Sequence, residues 1–273
     1  MGKVWLVTGA SRGLGREIAR AALTAGETVV ATARSADAAR DACGGDHVRL
    51  HALALDITDA DAANAVVAET IARCGAIDVL VNNAGYAELG FFETFTDAAV
   101  RRQFEVNVFG TMNVARAVAP HMRKRRSGLI VTISSVSGLV SSGGGAVYSA
   151  SKFAVEGWME GFAQELAPLG VRSLVVEPGM LRTDFMDGKS ANFGSIDIPD
   201  YADAEAQYRA FVNEANGNQP GDPKLLATRI VALASQDEVP SRLIFGDDAR
   251  QWAAAKVEQL RQEIARSADH GWK

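Results

Sequence analysis

Residues 3–15 read KVWLVTGASRGLG, and the fold follows from this stretch. Residues 3–8 form a short, nearly continuous apolar run, the pattern of a strand buried on both faces. Gly9, Gly13 and Gly15 come next, spaced GxxxGxG. Glycines placed after a strand let the backbone turn sharply and approach a pyrophosphate, to which the following helix offers unpaired N–H groups. The spacing is neither GxGxxG nor a P-loop, because no Gly-Lys-Ser/Thr follows. Taken alone, the turn is also compatible with a tight connection that binds nothing. Residues 14–25 carry Ile18, Ala22 and Leu23 at helical spacing, and Gly26 is placed to end that helix.

Outward from this unit, strand and helix patterns alternate. Strands are predicted over 28–33, 47–55, 77–81, 129–134 and 171–176. A helix follows the third strand, with Thr58 as its N-cap and Gly75 past its end. A long helical stretch runs from about 97 to 126, and a strong helix covers 149–167. Beyond Pro178, residues 184–221 are mixed and weakly periodic, with one helix near 202–215, as expected of a lid or binding loop. A helix (223–234), a short strand (242–245) and a final helix (249–266) complete the pattern. This alternation predicts an α/β fold: a doubly wound, parallel, Rossmann-like sheet with a substrate lid and a C-terminal helix. No linker divides the chain, so residues 1–273 are expected to form a single domain.

Composition narrows the function classes. The 273 residues are 48% hydrophobic and 22% charged, close to an ordinary globular protein. No run approaches the ~20 apolar residues of a membrane span, and Met1 leads straight into a strand with no leader pattern; a cytoplasmic location is expected. A net charge of −5 without a basic stripe argues against nucleic acid as a partner. The run Arg123-Lys124-Arg125-Arg126 is read as a helix C-terminus closed by Gly128. Cys43 and Cys74 show no CxxC spacing. His47, His51, His121 and His270 are scattered, and His47 and His51, four apart, fall in a predicted strand. No metal site is predicted.

Four further motifs end strands or open a helix at one edge of the predicted sheet, where ligands bind in such folds. They are Asn82-Asn83-Ala84-Gly85, Ser134-Ser135, Tyr148-Ser149-Ala150-Ser151-Lys152 and Pro178-Gly179. Tyr148 and Lys152 are i and i+4 on a helix and share a face. A phenol titrates near ~10, and a nearby ammonium favours the phenolate, so Tyr148 is predicted to act as general acid/base with its ionisation lowered by Lys152. Ser135 can hold the same carbonyl oxygen through its hydroxyl, with Ser134 and Ser137 as rivals.

In this order, TGxxxGxG, NNAG and YxxxK resemble the short-chain dehydrogenase/reductase family over essentially the whole chain. The resemblance implies a nicotinamide-dependent oxidoreductase that interconverts a carbonyl and a secondary or primary alcohol. It adds Asn107, in Val106-Asn107-Val108, as a member of a proton relay through water to the lysine; the other reading of Asn107 is a helix-kink residue satisfying its own backbone. Cofactor contacts are implied at Gly9, Ser11, Arg12, Gly13, Leu14, Gly15, Asp56, Ile57, Asn83, Ala84, Gly85, Pro178, Gly179 and Thr183, with Tyr148 and Lys152 also touching it. Asp56 matches an adenine-contacting aspartate or caps the next helix, and Thr183 sits where a threonine side chain or the backbone holds the carboxamide. The tail resembles the hydroxysteroid- and retinol-dehydrogenase-like branch. The alternatives are a 3-oxoacyl-carrier-protein reductase and, in another class, a noncatalytic NADP-binding sensor on the same fold.

Cofactor choice is read at the end of the second strand. NAD-specific sites place a carboxylate there for the ribose 2′-OH. This chain has Arg34, with no carboxylate before Asp37. Arg34 with Arg12, helped by Ser11 or Ser35, predicts NADP(H) through charge-assisted bonds to a 2′-phosphate. Tyr86, Leu89, Phe91, Phe92, Leu139 and Val140 are expected to wall a pocket for a mostly apolar small molecule, closed from above by Phe185, Met186, Phe193, Ile198 and Tyr201. In the helix over 149–167, Val155, Met159, Phe162 and Leu166 suit the sheet. Phe153, Ala154, Gly157, Trp158 and Gly161 leave little of the other side polar, which predicts a homodimer or homotetramer built on this helix.

Overall fold

The computed structural model describes residues 2–188 and 190–269. In chain order the elements are β1 (Val4–Thr8), α1 (Gly13–Thr24), β2 (Thr28–Ala33), α2 (Ala36–Ala42), β3 (Leu50–Ala54), α3 (Ala60–Cys74), β4 (Val79–Asn82), β5 (Ala87–Leu89) and α4 (Asp97–Phe104). They continue with α5 (Thr111–Arg125), β6 (Gly128–Ile133), α6 (Ala146–Leu166), β7 (Val171–Pro178), β8 (Ala191–Phe193), α7 (Ala202–Ala215), α8 (Pro223–Ala234), β9 (Arg242–Phe245) and α9 (Asp247–Asp269).

Seven strands form one sheet in the order β3-β2-β1-β4-β6-β7-β9, each neighbouring pair parallel. The apolar run of β1 is buried throughout because the sheet is covered on both faces. Alternate side chains divide between the two layers. Trp5 and Val7 join the core that includes Ile18 of α1 and Ile230 of α8. Leu6 joins the opposite core with Val114 of α5 and Met159 of α6. Burying each such side chain stabilises the fold by roughly 1.5–3 kcal/mol. From β1 the chain winds outward to β2 and β3, then returns past β1 to β4 and winds the other way. That reversal opens a crevice beyond the carboxyl ends of β1 and β4, the place where ligands bind in this architecture. No helix among the described residues is long and apolar enough to cross a membrane.

Several local expectations are corrected. The third strand begins at Leu50 rather than at residue 47, because His47 Nδ1 accepts from the Arg49 N–H at 3.1 Å and folds residues 47–49 into a turn. The cap of α3 is Asp59, whose carboxylate accepts from Ala62 N, and not Thr58. The helical stretch from 97 to 126 is interrupted by a π-helical turn at Glu105–Gly110. The Asn107 carbonyl within it accepts from Thr111 Oγ1 at 2.8 Å. Arg126, in the left-handed region at φ 53°, ends α5; Gly128 instead opens β6, with φ 157° and no room for a Cβ beside Met122. The basic residues 123–125 do fill the last turn of α5, as expected beside a helix C-terminus.

β5 and β8 have no counterpart in the predicted elements. They pair in parallel as a separate two-stranded sheet, Ala87 opposite Ala191 and Leu89 opposite Phe193. This small ladder ties the 184–221 segment to the chain just after β4, so that segment is anchored over the crevice.

Candidate active site

The glycine turn is shaped by close approach. Gly9 and Gly13 have φ of 67° and 54°, and a Cβ on Gly9 would come within 2.9 Å of Ala84 Cα. A Cβ on Gly15 would run into the Asn83 side chain and the Gly9 carbonyl. Asn83 is the strut across the gap. Its Nδ2 donates to the Thr8 carbonyl at 3.0 Å, and its backbone N–H and that of Ala84 both donate to Thr8 Oγ1, at 3.0 and 3.1 Å. The NNAG motif therefore locks β4 to the glycine turn. Arg12 is the N-cap of α1, and its side chain makes no cap hydrogen bond to the first turn. An anion is the partner such a helix end accommodates, so a pyrophosphate fits here.

A cavity of about 700 Å³ runs from this turn across the sheet edge. Of the residues named from the sequence, it is lined by Gly9, Ser11, Arg12, Gly13, Leu14, Arg34, Asp56, Ile57, Asn83, Ala84, Gly85, Ser135, Tyr148, Lys152, Pro178, Gly179 and Thr183. Gly15 acts instead through its packing on Asn83. Asn107 is buried behind the wall, where its Nδ2 donates to the Tyr86 carbonyl at 3.0 Å and to Ser151 Oγ at 3.2 Å. Its Oδ1 accepts from the Tyr86 N–H at 3.1 Å. The side chain thus clamps the backbone of Tyr86 rather than satisfying its own.

Tyr148 lies in the first turn of α6, and Ser135 caps the short 3₁₀ turn after β6. Burial pushes the Tyr148 phenol up to about 12, while a hydrogen bond from Ser135 draws it down. This reverses the direction expected from the sequence. Lys152 Nζ sits 5.8 Å from the Tyr148 ring centroid and donates to the Ile133 carbonyl at 2.9 Å, so desolvation of the phenol prevails. Burial also pulls the Lys152 ammonium down to about 8, with Glu156 opposing it. Ser135, not Ser134, is the serine hydrogen-bonded to the tyrosine; Ser134 Oγ is buried without a partner.

At the adenosine end, Arg34 and Arg12 line the same cavity. Asp37 is turned to Arg40 at 2.6 Å on α2. Asp56 does not cap α3. Its Oδ1 accepts from the Thr58 N–H at 3.0 Å and the Thr58 hydroxyl at 2.8 Å, and these bonds, then Arg34 and Arg102, hold its carboxyl below the usual range. Thr183 faces the glycine turn, its Cβ 3.6 Å from where a Cβ on Gly13 would stand.

Residues 3–193 match the family model described as short chain dehydrogenase. The chain belongs to the short-chain dehydrogenase family. It is 34% identical to an oxidoreductase of Botryotinia fuckeliana over 274 residues, covering 100% of this chain and 97% of that one. It is 33% identical to a 3-ketodihydrosphingosine reductase of Bacteroides thetaiotaomicron, covering 89% and 88% of the two chains. Among solved structures, a short-chain dehydrogenase from Streptomyces avermitilis superimposes with a TM-score of 0.89 at 40% identity, with both chains covered in full.

Like its family, this short-chain dehydrogenase is an oxidoreductase that uses a nicotinamide cofactor and acts on a small molecule. Around the far half of its cavity, Tyr86, Leu89, Phe185 and Met186 line the wall as expected. Phe91 does not; it stacks on Tyr201 with ring centroids 5.0 Å apart, and Phe92 is 63% exposed. The wall is completed by residues that sequence reading missed: Tyr208, Phe211 and Val212 of α7, and Trp252 of α9. The i, i+3, i+4 spacing of the first three was the available signal. Arg102 was also missed, as was Asp248, whose Oδ2 accepts from Met180 N at 2.8 Å and pins the loop after β7. Asp248 sits in the first turn of α9, and nothing local distinguishes it from an ordinary helix-start carboxylate.

Proposed function

We propose that the chain is an NADP(H)-dependent oxidoreductase interconverting a carbonyl and an alcohol on a mostly apolar small molecule. The observation that carries this reading is the Tyr148 phenol, hydrogen-bonded by Ser135, in one cavity with both the glycine turn and the apolar wall of α7. With the cofactor's pyrophosphate held at the turn, its nicotinamide would supply or accept the hydride. Tyr148 donates a proton to the carbonyl oxygen in reduction and takes it back in oxidation. Ser135 fixes that oxygen with a directed hydroxyl. Lys152 anchors its ammonium on the Ile133 carbonyl beside Tyr148. Asn107 holds Tyr86 at the site's edge, which supports a positioning role as well as the relay implied by resemblance. Arg12 and Arg34, which line the adenosine end of the cavity, would hold the 2′-phosphate of NADP(H), and Asp56 and Ile57 would contact the adenine. Thr183 stands at the carboxamide end.

The apolar wall selects the substrate. Tyr208, Phe211, Phe185 and Met186 offer broad hydrophobic surface and few charges, which disfavours a sugar or a polyol. The Bacteroides relative, named for 3-ketodihydrosphingosine, is in keeping with this preference. Incubation with NADPH and a panel of apolar ketones and aldehydes, 3-oxoacyl thioesters and sugars tests it. NADPH oxidation is expected with the apolar carbonyls at kcat/KM at least about tenfold above the sugars, the scale of one well-placed apolar contact. A preference for sugars or polyols contradicts the reading.

The assembly belongs to the same proposal. On α6, Phe153 is 43% exposed, and Cβ atoms added to Gly157 and Gly161 would meet nothing within 4 Å. These three positions, spaced by four, present one face to solvent beside the stacked Trp158 and Phe162. Light scattering at micromolar concentration is expected to give a dimer or tetramer, and Phe153→Glu with Gly157→Glu a monomer. A monomeric parent refutes this. A cytoplasmic location completes the reading, in keeping with the free thiols of Cys43 and Cys74.

A further inference from the structure

Behind Lys152, on the side away from the cavity, three elements bring together a cluster of charge that the reaction as described does not use. Glu156 stands one turn beyond Lys152 on α6, Glu177 comes from β7 and Arg242 from β9. Glu177 is fully buried and Glu156 is 5% exposed. The Arg242 guanidinium is paired with both and reaches Glu160, on the outer rim, at 3.1 Å. One guanidinium cannot neutralise two buried carboxylates. Glu156 Oε1 and Glu177 Oε2 are left buried with no hydrogen-bond partner. Gly138 closes the space between the cluster and the site; a Cβ there would come within 2.8 Å of Glu156 Cγ, 2.9 Å of Ser134 Oγ and 3.1 Å of the Lys152 carbonyl.

We propose that Glu156, with Glu177 and Arg242 behind it, is the counter-charge that sets the protonation state of Lys152. Glu156 is therefore a positioning residue for the reaction, and this rests on the reading of Lys152 as the partner of Tyr148. Two carboxylates crowded in a low-dielectric site cannot both ionise easily, so the pair retains one proton that leaves only near neutral pH. Burial and the Glu156 charge push Glu177 up to about 7, against Arg242. While the proton is held, the two carboxylates and Arg242 are together neutral. When it leaves, the cluster gains a negative charge just below the pH at which burial would strip the proton from Lys152. The ammonium is thereby retained to higher pH. Tyr148 on the cavity side and Glu160 at the rim are further titratable groups facing this chain of charges, and from β6 the Ile133 carbonyl accepts from Lys152. No bond to substrate is made or broken here, and only protons redistribute.

Carbon-13-labelled lysine, with the Lys152 resonance assigned through Lys152→Met, reports the ionisation of Nζ directly by NMR in the full chain. In Glu156→Gln the Lys152 midpoint is expected to fall by about one pH unit, the scale on which a nearby opposite charge acts. Glu156→Asp, which keeps the charge, restores most of it. Glu177→Gln, which keeps the shape and an amide oxygen that still accepts from Arg242, is expected to lower the midpoint by less and serves if Glu156→Gln does not fold. The alkaline limb of kcat moves with the midpoint, while KM for the carbonyl stays within about twofold. An unmoved Lys152 midpoint in the folded variants, or a fall in Glu156→Asp as large as in Glu156→Gln, overturns the proposal. A midpoint that moves while kcat does not would uphold the counter-charge and count against the catalytic reading of Lys152.

Discussion

Tyr148→Phe lowers turnover by about 10²–10⁴-fold, the range that a positioned general acid contributes, and leaves cofactor binding nearly unchanged. The substitution removes only the proton-bearing oxygen. The ring keeps its place in the first turn of α6 and its tilted contact with Phe185, with centroids 5.8 Å apart. The glycine turn, held through Thr8 and Asn83, is untouched. Stopped-flow turnover together with fluorescence titration of NADPH separates the two effects. Turnover within a few-fold of the parent removes Tyr148 from the role of acid/base. The buried phenol also fixes the direction of the pH effect. Its proton is held up to about 12 by burial, so throughout the neutral range the residue is present as the acid that carbonyl reduction needs.

Arg34→Asp combined with Arg12→Ser is expected to reverse cofactor preference. Hydrogen bonds to charged groups contribute about 1.5–3 kcal/mol each, so losing both guanidiniums weakens NADPH by roughly 10²–10⁴-fold, and the new carboxylate accepts from the ribose 2′-OH in NADH. The contrast is testable because the nearby carboxylates are engaged elsewhere: Asp37 pairs with Arg40, and one Asp56 oxygen takes both bonds from Thr58. Titration of parent and variant with both cofactors at low ionic strength, where charge pairing is least screened, decides it. Equal affinity of the parent for NADH and NADPH would falsify the assignment of Arg12 and Arg34. Because Asp56 feels Arg34 among its charges, the same variant should raise the Asp56 carboxyl.

Much of the site was legible in the sequence because short motifs with fixed spacing carry it. The glycine turn, Asn83, the Tyr148/Lys152 pair and the strand ends of β1, β4, β6 and β7 depend on local geometry, which spacing encodes directly. The bounds of α8 and β9 were likewise legible, and a helix near 202–215 was expected even though the segment around it is only weakly periodic. What escaped is instructive. β5 and β8 are three residues each, too short to show alternation, and exist only because the chain after β4 meets the lid. Phe91 was assigned to the pocket on hydrophobicity alone, yet it stacks on Tyr201, because an apolar side chain does not state which apolar neighbour it will find.

The sequence by itself determined the doubly wound sheet, its crevice and the chemistry gathered there, because buried strands, helix periods and glycine turns are local constraints that accumulate along the chain. Tertiary structure alone decided the electrostatics. Proximity in sequence suggested that Lys152 would depress the Tyr148 phenol; packing withdrew both from water, and desolvation pushed the two ionisations toward their neutral forms. Glu177 and Arg242 stand 65 positions apart in the chain and meet only because β7 and β9 are neighbours in the sheet. Burial depends on everything packed around a group, and no window of sequence contains that sum.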